Sequence, residues 1–550
     1  MLEDFDINNI RDMQDARQSI QMLLNLVETL YQENLSLKKQ VQNLQDEINR
    51  LKGQQGKPPI KPNNNSQPKN YSSEKERKKK KRRKKRSKVD RIKIHAEKIC
   101  PVDKEKLPAD AQFKGYEKVF VQDIKFEAFN TLFLKEKYYS PSQNKTWLAP
   151  LPPGYEGEFG PRLKSFAIKG YFDSNITQPK ILDLLQDAQI SISAGQISKF
   201  LINNHQQFHK EKDQLYEAGL RSSPWHHIDD TATRVNGNNY YCHIMCNPLY
   251  TSYFTTPNKT RLTVIDVLRN FKAPFFLLND EALSYIRQFR LPAPVIQTLQ
   301  LLPQDQQLCQ EAFSYLVENH LPHLGPQQRS HVLDAAAIAA YHAQMEFPIA
   351  QLLICDDAPQ FKIITRQLAL CWIHDGRHYK KLCPCLPYHQ QLLDAFLDDY
   401  WNFYYLLLDY KQQPSLQEKQ RLTNLFDELF ATQTGFNALD DRIAKTKLKK
   451  ACLLMVLDHP EIPLHNNPAE LGARRRVRKR VISYGTRSDD GTKAWDTFLS
   501  LAETAKKQGV NFFNYIYDRI SGNFEMPSLA QLINQRASEL NLGASWNLPP

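Results

Sequence analysis

Leucine recurs at every seventh position, at Leu23, Leu30, Leu37, Leu44 and Leu51, and three residues ahead of each stand Ile20, Val27, Asn34, Val41 and Ile48. An apolar seam with this period, sustained over five heptads, is the signature of a helix that winds around another helix. β-Branched residues at a with leucine at d favour a parallel two-stranded coil, and the single polar a residue, Asn34, fixes register at some cost in stability. The flanking positions agree with a homodimer. Glu33 faces Lys38 of the partner subunit, Glu47 faces Lys52 of the partner subunit, and Leu26 faces Tyr31 of the partner subunit. Leu23, Val27, Leu30, Asn34, Leu37, Val41, Leu44, Ile48 and Leu51 are therefore the expected dimerisation residues. The other way to hide such a seam is to fold the helix onto the chain's own core. The zipper region, 1–56, stops at the helix-breaking Gly53 and Gly56.

A polar, proline-rich linker (57–89) follows, and it carries the charge. Between Lys75 and Lys93 stand fourteen Lys or Arg against two acids, almost the whole net charge of +13. Arg77, Lys78, Lys79, Lys80, Lys81, Arg82, Arg83, Lys84, Lys85 and Arg86 are consecutive. Such an arm seeks polyanions, and its grip on phosphates weakens steeply with salt. DNA or RNA is the expected partner. A basic-zipper factor is not, because there the basic helix precedes the zipper and runs into it. The acidic N-terminus, MLEDFDINN, has no secretory character. No apolar run is long enough for a membrane helix. Nine scattered cysteines suit a reducing cytoplasm better than a disulfide framework. The expected location is thus cytoplasmic, with no membrane partner.

The 550 residues leave room for several folded units, and only 19 glycines favour helices over serial hairpins. Region 90–165 alternates short apolar runs with turns and predicts a small β-rich module. Cys100-Pro101-Val102-Asp103 resembles one knuckle of a zinc ribbon, with Ser140–Gln143 where a second would lie. Only one of the four ligand positions is Cys, so no zinc is expected. Region 166–215 contains a helix–turn–helix pattern at 178–203, with Ser193 and Gln196 placed as a capping box. It fits a DNA-docking element or an ordinary helical hairpin. Residues 526–550 form a C-terminal tail.

Three acidic positions stand out within 216–525. WHHIDDTATRV carries Asp229 and Asp230, followed by the hairpin signal Asn236-Gly237, two strand-like runs and a helix. IAQLLICDDAPQF is an apolar strand ending at Asp356 and Asp357. HNNPAELGARRRVRKR puts Glu470 near a helix start. An acid on a first strand, two antiparallel strands, a helix, an acid at the end of a later strand and a third on a helix is a ribonuclease-H-like order. Three carboxylates so arranged can hold two magnesium ions, about 3.5–4 Å apart, for phosphodiester cleavage or strand transfer. Neighbours on a strand face opposite ways, so only one of each Asp-Asp pair can serve. Turn and cap chemistry is the plainer account of each motif taken alone. Helical insertions are expected at about 280–345 and 387–460. Cys371, His374 and His378 share a helix face, and zinc ligation there is the lesser reading beside core packing.

The stretch NNPAELGARRRVRKRVISYGTRSDDGTKAWDTFLSLAETAKKQGVNFFNYI closely resembles the C-terminal part of insertion sequence 66 family transposases of the TnpC type. HIDDT resembles their first acidic motif, CDDAPQF their second, and LALCWIHDGRHYKKL their Cys-Trp-x-His-x-x-Arg element. The resemblance runs from about residue 20 to 525 and is tight at these motifs. It implies a DDE transposase with a ribonuclease-H-like α/β core bearing helical insertions. Ahead of that core it implies a parallel coiled coil, a degenerate zinc-ribbon-like module and a helix–turn–helix region. It assigns catalysis and metal binding to Asp229, Asp356 and Glu470, with Asp230, Asp357, His374 and Arg377 as active-site neighbours. Arg474, Arg475, Arg476 and Arg478 become DNA contacts beside the basic arm. The implied cofactor is a pair of magnesium ions, with manganese able to substitute. The implied partners are the element's terminal repeats, a DNA target, a second copy and accessory proteins of the same element, in a bacterial cytoplasm. The alternative is a catalytically decayed relative that only binds DNA or regulates. Leu471-Gly472-Ala473 in place of the usual Arg-Ala-Leu, and the extra charge of Asp357, keep that alternative open.

Overall fold

A computed structural model describes residues 10, 12–51, 93–103, 111–155 and 157–547. The basic run from Arg77 to Arg86 and the Gly53–Gly56 stop lie outside the described residues. Among the described residues the protein is mixed α/β, one five-stranded mixed sheet surrounded by many helices. No helix among them is long and apolar enough to cross a membrane.

The heptad region is one helix, α1 (Met13–Leu51). Its seam is not folded onto the chain's own core. From Ile20 to Leu51 the apolar a and d side chains are between 37% and 76% exposed.

Region 90–165 departs from expectation. Its described part holds one antiparallel hairpin, β1 (Lys137–Ser140) with β2 (Lys145–Leu148), and residues 111–135 form no regular element. The physical reason is visible in the side chains: Val119, Val121, Ile124, Phe129 and Leu132 are exposed, so the apolar alternation finds no layer to pack on. Phe126 packs against the ring of Phe166 and Phe133 against that of Tyr155.

Four helices then lead to the sheet: α2 (Pro161–Ile168), α3 (Gln178–Asp187), α4 (Ala194–Ile202) and α5 (Gln206–Arg221). Helices α3 and α4 occupy the helix–turn–helix pattern. Ser193 caps α4 by accepting from the Gln196 N–H at 3.2 Å, and Ile197, Phe200 and Leu201 are buried.

The sheet begins with three antiparallel strands, β3 (Trp225–Val235), β4 (Asn238–Cys246) and β5 (Thr251–Thr256). Asn236 and Gly237 both take positive φ, 47° and 80°, as a two-residue hairpin turn requires. Helix α6 (Arg261–Leu268) follows. A first insertion then contains a two-residue pair, β6 (Phe276–Leu277) with β7 (Gln307–Leu308), and helices α7 (Asp280–Gln288), α8 (Ala293–Leu301), α9 (Gln310–His320) and α10 (Pro326–Ala343). The chain re-enters the sheet as β8 (Leu352–Cys355), parallel to β3, and β9 (Gln367–Leu370), parallel to β8. The spatial order is β5-β4-β3-β8-β9. Every residue of β8 is apolar and buried, the mark of a strand covered on both faces.

Helix α11 (Trp372–Lys380) leaves the sheet into a second insertion, α12 (Pro387–Tyr410), α13 (Leu416–Leu429), α14 (Asn437–Lys447) and α15 (Lys450–Leu453). The chain ends in α16 (Asn467–Ser483), α17 (Asp489–Gln508), α18 (Phe512–Ile520) and α19 (Leu529–Leu540). Helix α16 crosses β3 and β4 closely, because Gly472 has no side chain there; a Cβ would meet Ile244 Cγ2 at 2.8 Å.

Helix α17 seals the β5 edge with side chains rather than backbone. Asp496 accepts from the Thr255 N–H at 2.6 Å, Ser500 from Tyr253 at 2.9 Å and Thr504 from Thr251 at 3.1 Å. Two residues of strand advance about 6.8 Å. Four residues of helix advance about 6 Å. The two ladders therefore stay in step over three rungs. The other edge strand, β9, is covered by α15 and the turn at Met455–Leu457.

Candidate active site

Strand β3, the end of β8 and the first turn of α16 bring Asp229, Asp356 and Glu470 into one electrostatic neighbourhood. Burial pushes the Asp229 carboxyl up to about 7, and the charges of Asp356, Asp230 and Glu470 add to that rise. The Asp230 N–H opposes it by donating to Asp229 Oδ1 at 2.8 Å. Asp356 accepts from the Ala358 N–H at 3.2 Å, which turns its carboxylate back over the strand end.

In each Asp-Asp pair the second acid has basic or amide partners of its own; Asp229 and Asp230 are neighbours on β3, whereas Asp356 and Asp357 lie just beyond the end of β8. Asp230 is engaged by Lys259 Nζ at 3.0 Å and by Gln360 Nε2 at 2.6 Å. Asp357 lies between Lys362 Nζ at 2.8 Å and Lys449 Nζ at 2.6 Å. Although burial works against it, those two ammonium groups hold the Asp357 carboxyl below its usual range. The extra charge beside the site is thus neutralised by its own partners. Lys449 also reaches Asp375 at 3.4 Å, tying the second insertion to both β8 and α11.

The third acid is clamped. Arg377 Nη2 donates to Glu470 Oε2 at 3.3 Å, and His374 Nδ1 lies 3.5 Å from Oε1. Arg377 Nη1 donates to His374 Nε2 at 3.0 Å, which leaves the imidazole proton on the side facing Glu470. Burial lowers the His374 pKa, which favours the neutral ring. Gly376 makes the approach of α11 to α12 feasible, since a Cβ there would sit 2.7 Å from Trp401.

Asn466, which was not singled out in the sequence, fixes α16 to the sheet. Fully buried, it donates through Nδ2 to the Ile228 carbonyl at 2.8 Å and accepts from His227 Nδ1 at 3.0 Å. Its N–H donates to Cys371 Sγ at 3.2 Å. One side chain thus links the residue before Asp229 to the residue cap from which Glu470 is launched. The sequence signal was the asparagine pair before Pro468, legible as a helix cap but not as a bridge 238 residues long.

Two expected DNA contacts are corrected. Arg475 is held by Asp173 at 2.7 Å and by Glu503, and Arg476 is 1% exposed, lying over the Trp495 ring at 4.5 Å. Both arginines face the core, because α16 packs across β3 and β4 on that side. Arg474 and Arg478, on the opposite face, are exposed. The C-terminus of α16 offers further basic groups: Arg234 and Arg487 flank a recess of about 370 Å³ with Ser483, Tyr484 and Gly485. Gly485 is required there, with φ of 122° and a would-be Cβ 2.6 Å from the Arg234 carbonyl oxygen.

Oxygen donors from Asp229, Asp356 and Glu470 suit a hard divalent cation. Asp229, raised first by burial and then by the charges of the neighbouring acids, would be relieved by such a cation. Among the described residues, the group whose donor atoms all lie within 4.8 Å of one another is Cys371, His374 and Glu470, and not the three acids. Cys371 fits a thiolate ligand poorly. Burial pushes its thiol up to about 12, and its sulfur already accepts from Asn466.

The shift at Asp229 has a consequence for stability. A carboxyl raised on folding binds its proton more tightly in the folded chain than in the unfolded one. The metal-free protein therefore loses stability as pH rises from about 4 towards 7, and the loss is complete above that. Asp229→Asn is expected to unfold at a higher temperature than wild type at pH 8 without metal, with the gap closing near pH 4. Thermal melts across that range, in chelator, check this; a gap that does not depend on pH would assign the effect elsewhere.

Fold and site together define a mixed α/β protein with a carboxylate cluster where two parallel strands and a helix start converge. No family model matches the chain. It is 31% identical over 308 residues to uncharacterized protein y4jO of Sinorhizobium fredii, a match covering 56% of this chain and 94% of that protein. The chain belongs to the family of that protein.

Proposed function

We propose that this chain is a DNA transposase of the DDE type, with a ribonuclease-H-like core that cuts and joins DNA strands at the ends of a mobile element. The observation that carries the reading is that Asp356 and Glu470, from two other elements, lie near enough to Asp229 for their charges to add to the burial that raises its carboxyl to about 7. The order β5-β4-β3-β8-β9, with acids on the central strand and its parallel neighbour, supports the core assignment.

On this reading Asp229, Asp356 and Glu470 hold magnesium, or manganese in its place. The metal pair supplies Lewis-acid activation of the attacking oxygen and stabilisation of the leaving one. The chain's own residues do the positioning. Arg377 and His374 fix both oxygens of Glu470, and Asn466 fixes the start of its helix. Lys259 and Gln360 turn Asp230 outward, while Lys362 and Lys449 do the same for Asp357. Arg377, about half exposed beside the acids, is placed to meet a phosphate. Arg474 and Arg478 offer further phosphate contacts, with the basic arm beyond them. A second copy joined through α1 completes the proposed assembly.

The test is strand cleavage and joining on DNA carrying the gene's flanking ends, with magnesium or manganese. Wild type is expected to cut. End binding without cutting, even with the neighbouring gene products added, would favour the decayed, DNA-binding relative. A sharper comparison lies within one Asp-Asp pair. Asp356→Asn is expected to lose nearly all cutting, whereas Asp357→Asn keeps it within roughly tenfold, the range of one indirect electrostatic contact. Equal losses from the two would break the division of roles proposed here.

A further inference from the structure

The seam of α1 is exposed, yet the helix is not free. Its other face is fastened to the second insertion by polar side chains. Glu28 is 4% exposed, and its carboxylate accepts from the N–H of Cys385 at 2.8 Å and of Leu386 at 3.4 Å. The Cys385 thiol donates to it at 3.2 Å, and His389 Nδ1 lies 3.4 Å away. One turn earlier, Asn25 donates to the Gly435 carbonyl at 2.8 Å and accepts from the Asn437 N–H at 3.0 Å. One turn later, Gln32 donates to the Cys383 carbonyl at 3.3 Å. His389 is itself fully buried and stacked on Phe436 at 4.2 Å, so the receiving surface is packed.

These positions are the ones a two-stranded coil leaves outside. With Val27 at a and Leu30 at d, Asn25 and Gln32 fall at f and Glu28 at b. At 100° per residue, f lies about 170° from the middle of the seam and b about 130°. Pairing and fastening therefore use opposite sides of one helix and do not compete.

We propose that α1 is a two-sided connector: Asn25, Glu28 and Gln32 bolt it to the helical insertion of its own chain, while the heptad face pairs with the α1 of a second copy. Charge complementarity names that occupant. Glu33 at g meets Lys38 at e in a parallel pair, and Asn34 at a matches its own equivalent. The insertion bolted to α1 also carries Lys449, which reaches Asp357 and Asp375. The zipper is thus joined directly to the block that buttresses the acidic site, and not only through the linker at 52–92. Buried in this way, Glu28 is a group whose removal leaves two backbone N–H donors without an acceptor.

The proposal rests on the zipper reading and not on the transposase reading, so its test needs no DNA. Full-length protein is compared by mass photometry and by hydrogen exchange of 383–389 and 434–437. Glu28→Gln and, separately, Asn25→Ala are expected to remain dimeric while exchange in those segments speeds at least tenfold. Val27→Lys with Leu30→Lys is expected to become monomeric while the same segments stay protected. Unchanged exchange in both polar variants would overturn the bolt. Loss of protection in the monomeric seam variant would overturn the assignment of the contact to the chain's own α1. A seam variant that stays dimeric would overturn the second-copy assignment.

Discussion

On the function proposed above, replacing Asp229 with asparagine is expected to lower DNA cutting by roughly a thousandfold or more, the range that several kcal/mol of lost charge stabilisation represents. Asp229 sits on the central strand β3, half-buried and within electrostatic reach of Asp356 and Glu470, so its loss would remove one of the three proposed oxygen donors. The fold should survive, because the amide relieves repulsion instead of breaking a contact. End binding, which the proposed function assigns to the basic arm and to Arg474 and Arg478, should change little. Single-turnover cleavage on labelled ends, beside a filter-binding titration, separates the two. Wild-type cutting by the amide variant would remove Asp229 from the chemistry.

Asn466→Leu is expected to be the most damaging single change outside the acids. It leaves His227 Nδ1 and the Ile228 carbonyl without their partner inside a fully buried junction. Two such groups together cost about 2–5 kcal/mol. Urea unfolding should show a lower midpoint, and cutting should fall as well because α16 no longer starts from a fixed point. Asn466→Asp, which keeps the acceptor for His227, is expected to recover part of the stability and little of the geometry. A Leu variant with wild-type stability would show that the bridge is not the support described above.

Much of the architecture was legible because it is written locally. The heptad of α1 shows in a period of seven, the β3–β4 hairpin in Asn236-Gly237, and β8 in four apolar residues before two acids. Alternation bears on Asp229 and Asp230, which are neighbours on β3, but not on Asp356 and Asp357, which lie past the end of β8. What stayed hidden depends on partners far along the chain. Arg475 and Arg476 belong to a run that reads as a basic face, and only the crossing of α16 over the sheet turns them inward. Glu28 and Asn25 sit at zipper positions that ordinarily face water, and nothing near them announces the insertion more than 350 residues later that buries them. Region 90–165 failed for the opposite reason. Its alternation is genuine, but alternation specifies a strand only when another layer is present to receive one face.

The side-chain ladder of α17 along β5, matched by the cover over β9, bears on how copies of this protein can grow together. Along β5 the N–H groups that a borrowed strand would need are already held by α17, so extension of the sheet across that border is closed. On the pairing proposed above, the exposed seam of α1 is the surface left for a second copy, and a two-stranded coil takes a single mate. A coil of that kind would limit number: it gives pairs, and not open-ended chains of subunits.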